Sequence, residues 1–194
     1  MKKALTLMAT AVAVVLLAAC SNNASSTSSS SGTASTSQVS TSGKSVLFIN
    51  ASQNADGNTA KMGSTLLDGV DHDTLNLVDY RINQLGQNFD GDQFNDVVAA
   101  MEKADTIVIG TPVYWHTMSG SLKTLIDRFY DLQGNNALQG KKLYFFMQGS
   151  APTEEAINQT EFIMTRVASQ MGMDLAGMAD NDQEITDMHA ELTK

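Results

Sequence analysis

Residues 106–110 read Thr-Ile-Val-Ile-Gly, and they are followed at once by Thr111-Pro112-Val113-Tyr114-Trp115. Similar uninterrupted apolar runs occur at residues 46–49 and 143–147, and in none of them do apolar and polar side chains alternate. Strands of this kind are typical of a parallel sheet that is covered by helices on both faces. The segment 93–103 between two of these runs has apolar residues at helical spacing. These patterns predict an α/β fold.

The order of the predicted elements narrows the fold class further. Strands are expected at residues 46–49, 75–78, 106–110, 143–147 and 174–178, with a helical pattern after each of them. Five such units within residues 45–194 fit a flavodoxin-like, three-layer, doubly wound sheet of five parallel strands in the order 2-1-3-4-5. In such a sheet, ligands bind beyond the carboxyl ends of the strands, at the switch point between the first and third strands.

The first 44 residues predict export and a tether. Lys2 and Lys3 precede an apolar run that is shorter than the ~20 residues of a membrane-spanning helix. The run ends in Leu17-Ala18-Ala19-Cys20, which resembles a bacterial lipobox and implies lipidation of Cys20. An ordinary secretory signal with a chance cysteine is the alternative. We therefore expect a signal peptide at 1–19, a Ser/Thr-rich tether at 20–44, one domain at 45–194, and an extracytoplasmic lipoprotein anchored to the cell membrane.

The charge and the cysteine content exclude several functions. The chain has 12 basic and 21 acidic residues, and loss of Lys2 and Lys3 with the signal would change its formal charge from -9 to -11. A chain this acidic is repelled by phosphate backbones, so we expect no nucleic-acid partner. Cys20 is the sole cysteine, which excludes an intrachain disulfide and any cysteine-rich zinc or iron–sulfur site.

The loop after the first strand has the composition of a phosphate site. Residues 51–59 read Ala-Ser-Gln-Asn-Ala-Asp-Gly-Asn-Thr, and they contain no lysine at a Walker position. Small and hydroxyl-bearing residues let backbone N–H groups converge at the start of the next helix, which suits a single terminal phosphate. Taken alone, the loop slightly favours the alternative of a merely polar loop with a helix cap at Asn58 or Thr59. The candidate ligands are Ser52, Asn54, Gly57, Asn58 and Thr59.

The segment after the third predicted strand offers aromatic surface. It contains Tyr114 and Trp115, the latter being the sole tryptophan, and these flat side chains suit an aromatic ring. The alternative is that both aromatics cap the core or form an oligomer contact. A third small and polar loop, residues 148–152, contributes Gly149 and Ser150.

These segments resemble the flavodoxin-like NAD(P)H-dependent FMN reductase family over residues 46 to about 180. The matching positions are Ser52, Gly57-Asn58-Thr59, Pro112-Val113-Tyr114-Trp115, Met118-Ser119 and Ile126-Asp127-Arg128. The resemblance implies bound FMN, with Ser52, Asn58 and Thr59 at its phosphate. It also implies that residues 112–115 border the isoalloxazine and that Gly149 closes the other side. Ala51 and Gln53-Asn54 replace the family's Gly and Pro-Arg, so the loop lacks the family's cation.

Three histidines lie in the chain, and none has a partner that the sequence reveals. His116 follows Trp115 and is a candidate proton donor near the flavin, although a loop histidine can also be without a chemical role. His72 and His189 lie among acids, where a metal site or, more simply, a solvated turn is expected. We expect no resident metal.

The leading functional hypothesis is a membrane-tethered FMN flavoprotein that passes electrons to a quinone, a metal chelate or a protein partner. NAD(P)H is the family's donor but is a cytosolic solute, so an exported chain would need another donor. The alternatives are an ordinary NAD(P)H-dependent FMN or quinone reductase that happens to be tethered, and a non-catalytic binding protein on the same frame. By family resemblance, a homodimer or tetramer would complete the flavin crevice.

Overall fold

The computed structural model describes residues 44–194, so the predicted signal peptide and all but the last residue of the predicted tether lie outside the described residues. The strands are β1 (Val46–Asn50), β2 (Asp73–Asn76), β3 (Thr106–Tyr114), β4 (Thr117–Met118), β5 (Lys142–Gln148) and β6 (Asp174–Ala179). The α-helices are α1 (Asn58–Leu66), α2 (Phe94–Lys103), α3 (Gly120–Arg128), α4 (Glu154–Met171) and α5 (Asp182–Leu192). Short 3-10 helices occur at Leu77–Asp79 and Phe129–Leu132.

The sheet has the predicted topology. Its path is β2-β1-β3-β5-β6, and all four pairings along that path are parallel. The sixth strand, β4, has two residues and pairs only with β3, in antiparallel orientation. With this short hairpin strand set aside, the five parallel strands follow the expected order 2-1-3-4-5, so the flavodoxin-like fold is confirmed.

The three central strands β1, β3 and β5 bury both of their faces, as their apolar sequences predict. Leu47 and Ile49 of β1 belong to a core with side chains of α2, α3 and α4, whereas Phe48 packs in a second core with α1 and α5. The Phe48 and Phe146 rings stack with centroids 5.9 Å apart. The alternating orientation of strand side chains therefore divides each apolar run between two helix layers.

Two predicted boundaries are wrong. The second strand was expected at 75–78, but β2 covers Asp73–Asn76, because pairing with Leu47 begins at Asp73 and a 3-10 turn follows Asn76. The third strand was expected to end at Gly110, but β3 continues to Tyr114. Pairing with β5 through Pro112 and then with β4 extends it. The proline is tolerated there because β1 has already ended at Asn50, which leaves that side of β3 without a ladder.

Hydrogen bonds attach the first described residues to the amino end of the sheet. The Ser45 N–H and hydroxyl both donate to the Asp105 carboxylate, at 3.0 and 3.2 Å. The Asp105 N–H donates to the Ser45 hydroxyl in return, at 3.1 Å. These bonds hold the pKa of Asp105 below its ordinary value. Within residues 44–194 the structure contains no helix with the length and apolarity needed to cross a bilayer.

Candidate functional site

Three loops meet at the carboxyl end of the sheet, where β1, β3 and β5 lie side by side. The β1–α1 loop is residues 51–57, the hairpin turn between β3 and β4 is residues 115–116, and the β5–α4 loop is residues 149–153. All the predicted cofactor residues lie on these loops, on the last residues of β3, or in the first turn of α1. The structure thus brings together three segments that are far apart in sequence.

Asn50 organises the β1–α1 loop from beneath. Its side chain is fully buried, and its Oδ1 accepts a hydrogen bond from the Ser52 N–H at 3.1 Å. Its Nδ2 donates to the Ala55 carbonyl at 3.2 Å and to Oδ1 of Asn76 on β2 at 3.1 Å. The Ser52 hydroxyl then accepts from the Asn54 N–H at 3.1 Å. The Asn50 amide therefore joins two points of the loop, Ser52 and Ala55, to Asn76 on the neighbouring strand β2.

The loop leads into the start of α1, and no side chain caps this helix. Gly57 is the cap residue, and its side-chain-free backbone lies against Asn54, whose Cβ would be 3.1 Å from a Cβ at position 57. By contrast, Ser119, Thr153 and Asn181 cap α3, α4 and α5 with their side chains. The first N–H groups of α1, with the positive end of its dipole, are thus available to an anion.

The predicted phosphate ligands differ in their accessibility. Asn54 and Asn58 are exposed, whereas Ser52 is 4% exposed and Thr59 has no exposed surface. The Thr59 hydroxyl accepts a hydrogen bond from Nε2 of Gln148, at the end of β5, at 3.0 Å. This bond joins the first turn of α1 to the carboxyl end of β5. Because Thr59 has no exposed surface, a ligand can contact its hydroxyl only if neighbouring residues move.

The hairpin turn displays the aromatic pair. Trp115 and His116 have φ angles of 48° and 63°, and positive φ at both central residues is the requirement of a type I′ turn. Tryptophan in this left-handed region is strained by ~1–2 kcal/mol. Its side chain is 96% exposed and that of Tyr114 is 39% exposed, so neither ring caps the core. His116 is exposed beside Trp115, and its ring makes no hydrogen bond within residues 44–194.

Two of the loops also contact neighbouring elements. Gly149 lies so close to Val113 that a Cβ at position 149 would be 3.2 Å from the Val113 Cβ. The Ser121 hydroxyl of α3 donates to the Ala51 carbonyl at 3.0 Å, which attaches the start of α3 to the β1–α1 loop. A side chain at position 149 would therefore require Val113 to shift by a few tenths of an ångström, and the bond to Ala51 holds the β1–α1 loop against α3.

Arg128, the last residue of α3, supports the segment between β2 and α2. Its side chain, only 12% exposed, bonds Asp92 and Asp131 at 2.7 Å each and donates to the Asn83 carbonyl at 3.0 Å. The guanidinium also lies 4.4 Å from the centre of the Phe94 ring. This segment begins at the carboxyl end of β2, the strand beside β1. Arg128 therefore stabilises the part of the chain that adjoins the site on that side.

Ionisation of this pair follows from its hydrogen bonds. Burial opposes the charge of Asp92, but hydrogen bonds from Arg128 and from the Asn83 and Phe94 N–H groups outweigh it and lower the pKa of the carboxyl. Burial likewise favours the neutral form of Arg128, yet its hydrogen bonds to Asp131 and Asp92 raise the pKa of the guanidinium. The two groups therefore remain charged in the folded protein.

The other two histidines make backbone contacts. His72 Nδ1 lies 2.8 Å from the Val70 carbonyl, and His189 Nδ1 lies 2.8 Å from the Leu66 carbonyl. His189 therefore joins α5 to the end of α1, which corrects the expectation of a solvated turn. Among residues 44–194, no group of three or more acidic, histidine or cysteine side chains is arranged to hold a metal ion.

Sequence reasoning missed the residues that support the site. Asn50, Gln148 and Ser121 were not among the predicted site residues, although each bonds a predicted loop. The signal for Asn50 and Gln148 was available, since both are amides that end otherwise apolar strands. Their partners lie elsewhere in the sequence, so the pattern alone could not assign the contacts.

Comparison with known proteins gives a consistent result. Residues 45–176 match the family model described as NADPH-dependent FMN reductase. An FMN-dependent NADH:quinone oxidoreductase of Pseudoalteromonas atlantica (strain T6c / ATCC BAA-1087) is 29% identical over 151 residues, which cover 61% of this chain and 75% of that protein.

Solved structures show the same fold. The flavodoxin, WrbA-like protein from Agrobacterium tumefaciens has a TM-score of 0.54 and 20% identity, over 77% of this chain and 91% of that one. The Trp repressor binding protein from Bacillus subtilis has a TM-score of 0.57 and 20% identity, over 76% and 96%. At these identities the likeness concerns the fold alone.

Proposed function

Because this chain belongs to the NADPH-dependent FMN reductase family, we propose that it is an FMN oxidoreductase working outside the cytoplasm, held to the membrane by a lipid on Cys20. Family membership makes it an FMN-dependent enzyme of the NAD(P)H oxidoreductase type and speaks against the non-catalytic alternative. When bound, FMN supplies the redox chemistry, and the protein supplies binding and orientation.

The observation that best supports a flavin site is the start of α1, which no side chain caps. It directly follows the loop that Asn50 holds in place. Its donors are backbone N–H groups and neutral side chains, and the loop contributes no cationic residue. Such a donor set fits one terminal phosphate, bound by amides and the helix dipole. The exposed rings of Tyr114 and Trp115 fit the isoalloxazine. Gly149, which has no side chain, lets the β5–α4 loop lie close to Val113.

A quinone is the acceptor we favour among the three expected classes. The support is the quinone activity in the name of the Pseudoalteromonas relative. Trp115 and Tyr114 offer the flat apolar surface that a quinone ring needs for stacking. His116, exposed at the same turn, is the candidate proton donor to the reduced acceptor. NAD(P)H is the expected donor by family, and a different donor is proposed for the exported protein.

Two measurements test the proposal with the full chain. Detergent-purified protein should show the visible absorption of oxidised flavin or bind added FMN saturably, and protein that does neither is not a flavoprotein of this kind. For localisation, a palmitate analogue should label the wild type, whereas Cys20→Ala should abolish labelling and release the protein from the membrane fraction. Equal labelling of both would refute lipidation at Cys20 but leave the flavin site untouched.

Steady-state kinetics then separate the donor hypotheses. An ordinary tethered reductase should oxidise NADPH or NADH with a quinone as acceptor. An enzyme supplied by another donor should be reoxidised rapidly by quinone after chemical reduction, yet be reduced slowly by both nicotinamides. Fast reduction by either nicotinamide would refute the need for a second donor.

A further inference from the structure

We infer that Asn76 on β2 is a positioning residue for the flavin phosphate, acting through Asn50 on the shape of the β1–α1 loop. The inference rests on the proposed role of that loop in binding the phosphate. Asn76 itself does not bind the phosphate. Its side chain keeps the Asn50 amide in the one orientation that bonds both ends of the loop.

Two hydrogen bonds lie within the loop: the Asn54 N–H donates to the Ser52 hydroxyl at 3.1 Å, and the Gly57 N–H donates to the Asn54 carbonyl at 3.3 Å. No residue from 51 to 57 has a positive φ angle, and Gly57 itself has φ of -76°. Gln53, Asn54, Ala55 and Asp56 are exposed, so packing does not hold the tip either. Hydrogen bonds therefore hold the conformation, both the two within the loop and those that Asn50 makes from beneath.

Asn50 supplies the bonds that reach the exposed tip. Its Oδ1 must be the oxygen, because the Ser52 N–H can only donate to it, and its Nδ2 must be the nitrogen, because the Ala55 carbonyl can only accept. The second N–H of Nδ2 donates to Oδ1 of Asn76 at 3.1 Å. All the donors of a fully buried amide are thus used, and Asn76 satisfies the one that does not contact the loop.

Removing Asn76 would leave a buried N–H without a partner. An unsatisfied buried donor is costly, and the Asn50 amide can recover a partner by turning away from Ser52 or Ala55. Either movement alters the positions of the loop N–H groups that face the phosphate. The effect should therefore fall on binding of the phosphate and spare binding of the ring.

The test compares FMN with riboflavin, which carries the same ring and lacks the phosphate. Dissociation constants are measured by flavin fluorescence for the full-length wild type, Asn76→Ala and the matched control Asn158→Ala, an exposed position on α4. We expect Asn76→Ala to weaken FMN binding about two- to ten-fold, as for loss of one hydrogen bond, with riboflavin affinity unchanged. Asn158→Ala should change neither affinity.

A double-mutant cycle identifies the route. In an Asn50→Ser background, which removes the Nδ2 donors, Asn76→Ala should have no further effect on FMN affinity. An undiminished effect in that background would overturn the inference, as would equal losses for FMN and riboflavin or no loss of FMN affinity. Should Asn50→Ser fail to fold by its thermal unfolding curve, Asn76→Asp, which keeps the acceptor, should restore FMN affinity relative to Asn76→Ala. A wild type that binds no FMN would refute the proposed function instead.

Discussion

Replacing Arg128 with methionine tests whether one guanidinium holds the segment between β2 and α2. The change removes a largely buried charge from its ion pair with Asp92, and removal of one partner from a buried pair costs about 3–5 kcal/mol. The Asp92 side chain is 26% exposed and keeps two backbone N–H donors, which favours the lower limit. Methionine preserves the apolar contact with Phe94 but loses the cation–π attraction of about 0.5–1 kcal/mol. We expect a loss of about 3 kcal/mol in the free energy of unfolding.

Urea unfolding followed by circular dichroism measures this loss, and a control lies on the same helix. Lys123 pairs with Asp127 at 2.5 Å, with both side chains about half exposed, so Lys123→Met should cost less than about 1 kcal/mol. At about 2–4 °C per kcal/mol, Arg128→Met should lower the Tm by about 6–12 °C. If both variants lose the same small amount, the ion pair at Arg128 is no stronger than an exposed one and the reasoning is wrong.

Three other positions give independent tests. Gly110→Ala places a Cβ 2.3 Å from the Phe146 ring and should cost about 1–3 kcal/mol in urea unfolding, whereas Gly120→Ala meets nothing within 4 Å and should be near neutral. Since the pKa of Asp92 is lowered on folding, its stabilisation exists above the unfolded pKa of about 3.9 and disappears as pH falls through the folded pKa. Asp92→Asn should therefore flatten the loss of Tm below about pH 4, and an unchanged acid limb would contradict the assignment. Trp115→Gly should relieve strain and raise stability by about 1 kcal/mol while weakening FMN binding, and a loss of stability would show that the indole packs in solution.

The parallel sheet could be predicted because burial on both faces leaves a direct mark in the sequence. Residues 46–49, 107–109 and 143–147 are apolar throughout, and all of them are strands in the structure. The start of β2 could not be found in this way. Asp73 and Thr74 are exposed, and they are strand residues only because they pair with Leu47 and Phe48. Backbone pairing with a distant partner has no apolar signature.

The candidate site shows the same division. The β1–α1 loop and the aromatic pair were located from residue types at the ends of predicted strands, and in the structure both lie at the carboxyl end of the sheet. The type I′ turn at Trp115 and His116 was not predictable, since such turns usually carry Asn-Gly and β4 is too short for any periodicity. The role of Asn50 depends on Asn76, a residue 26 positions away.

Because β1 begins directly after Ser45, a mechanical force on the preceding chain would enter the domain through this strand. A pull on the chain ahead of Ser45, resisted by a partner held at the carboxyl end of the sheet, would run lengthwise along β1. That strand lies between β2 and β3 and is paired with both. Under such a load the two ladders are sheared, so their hydrogen bonds resist together and do not open one after another. Under the proposed attachment through Cys20, a load between the two ends of the sheet would therefore be carried by both ladders of β1 at once.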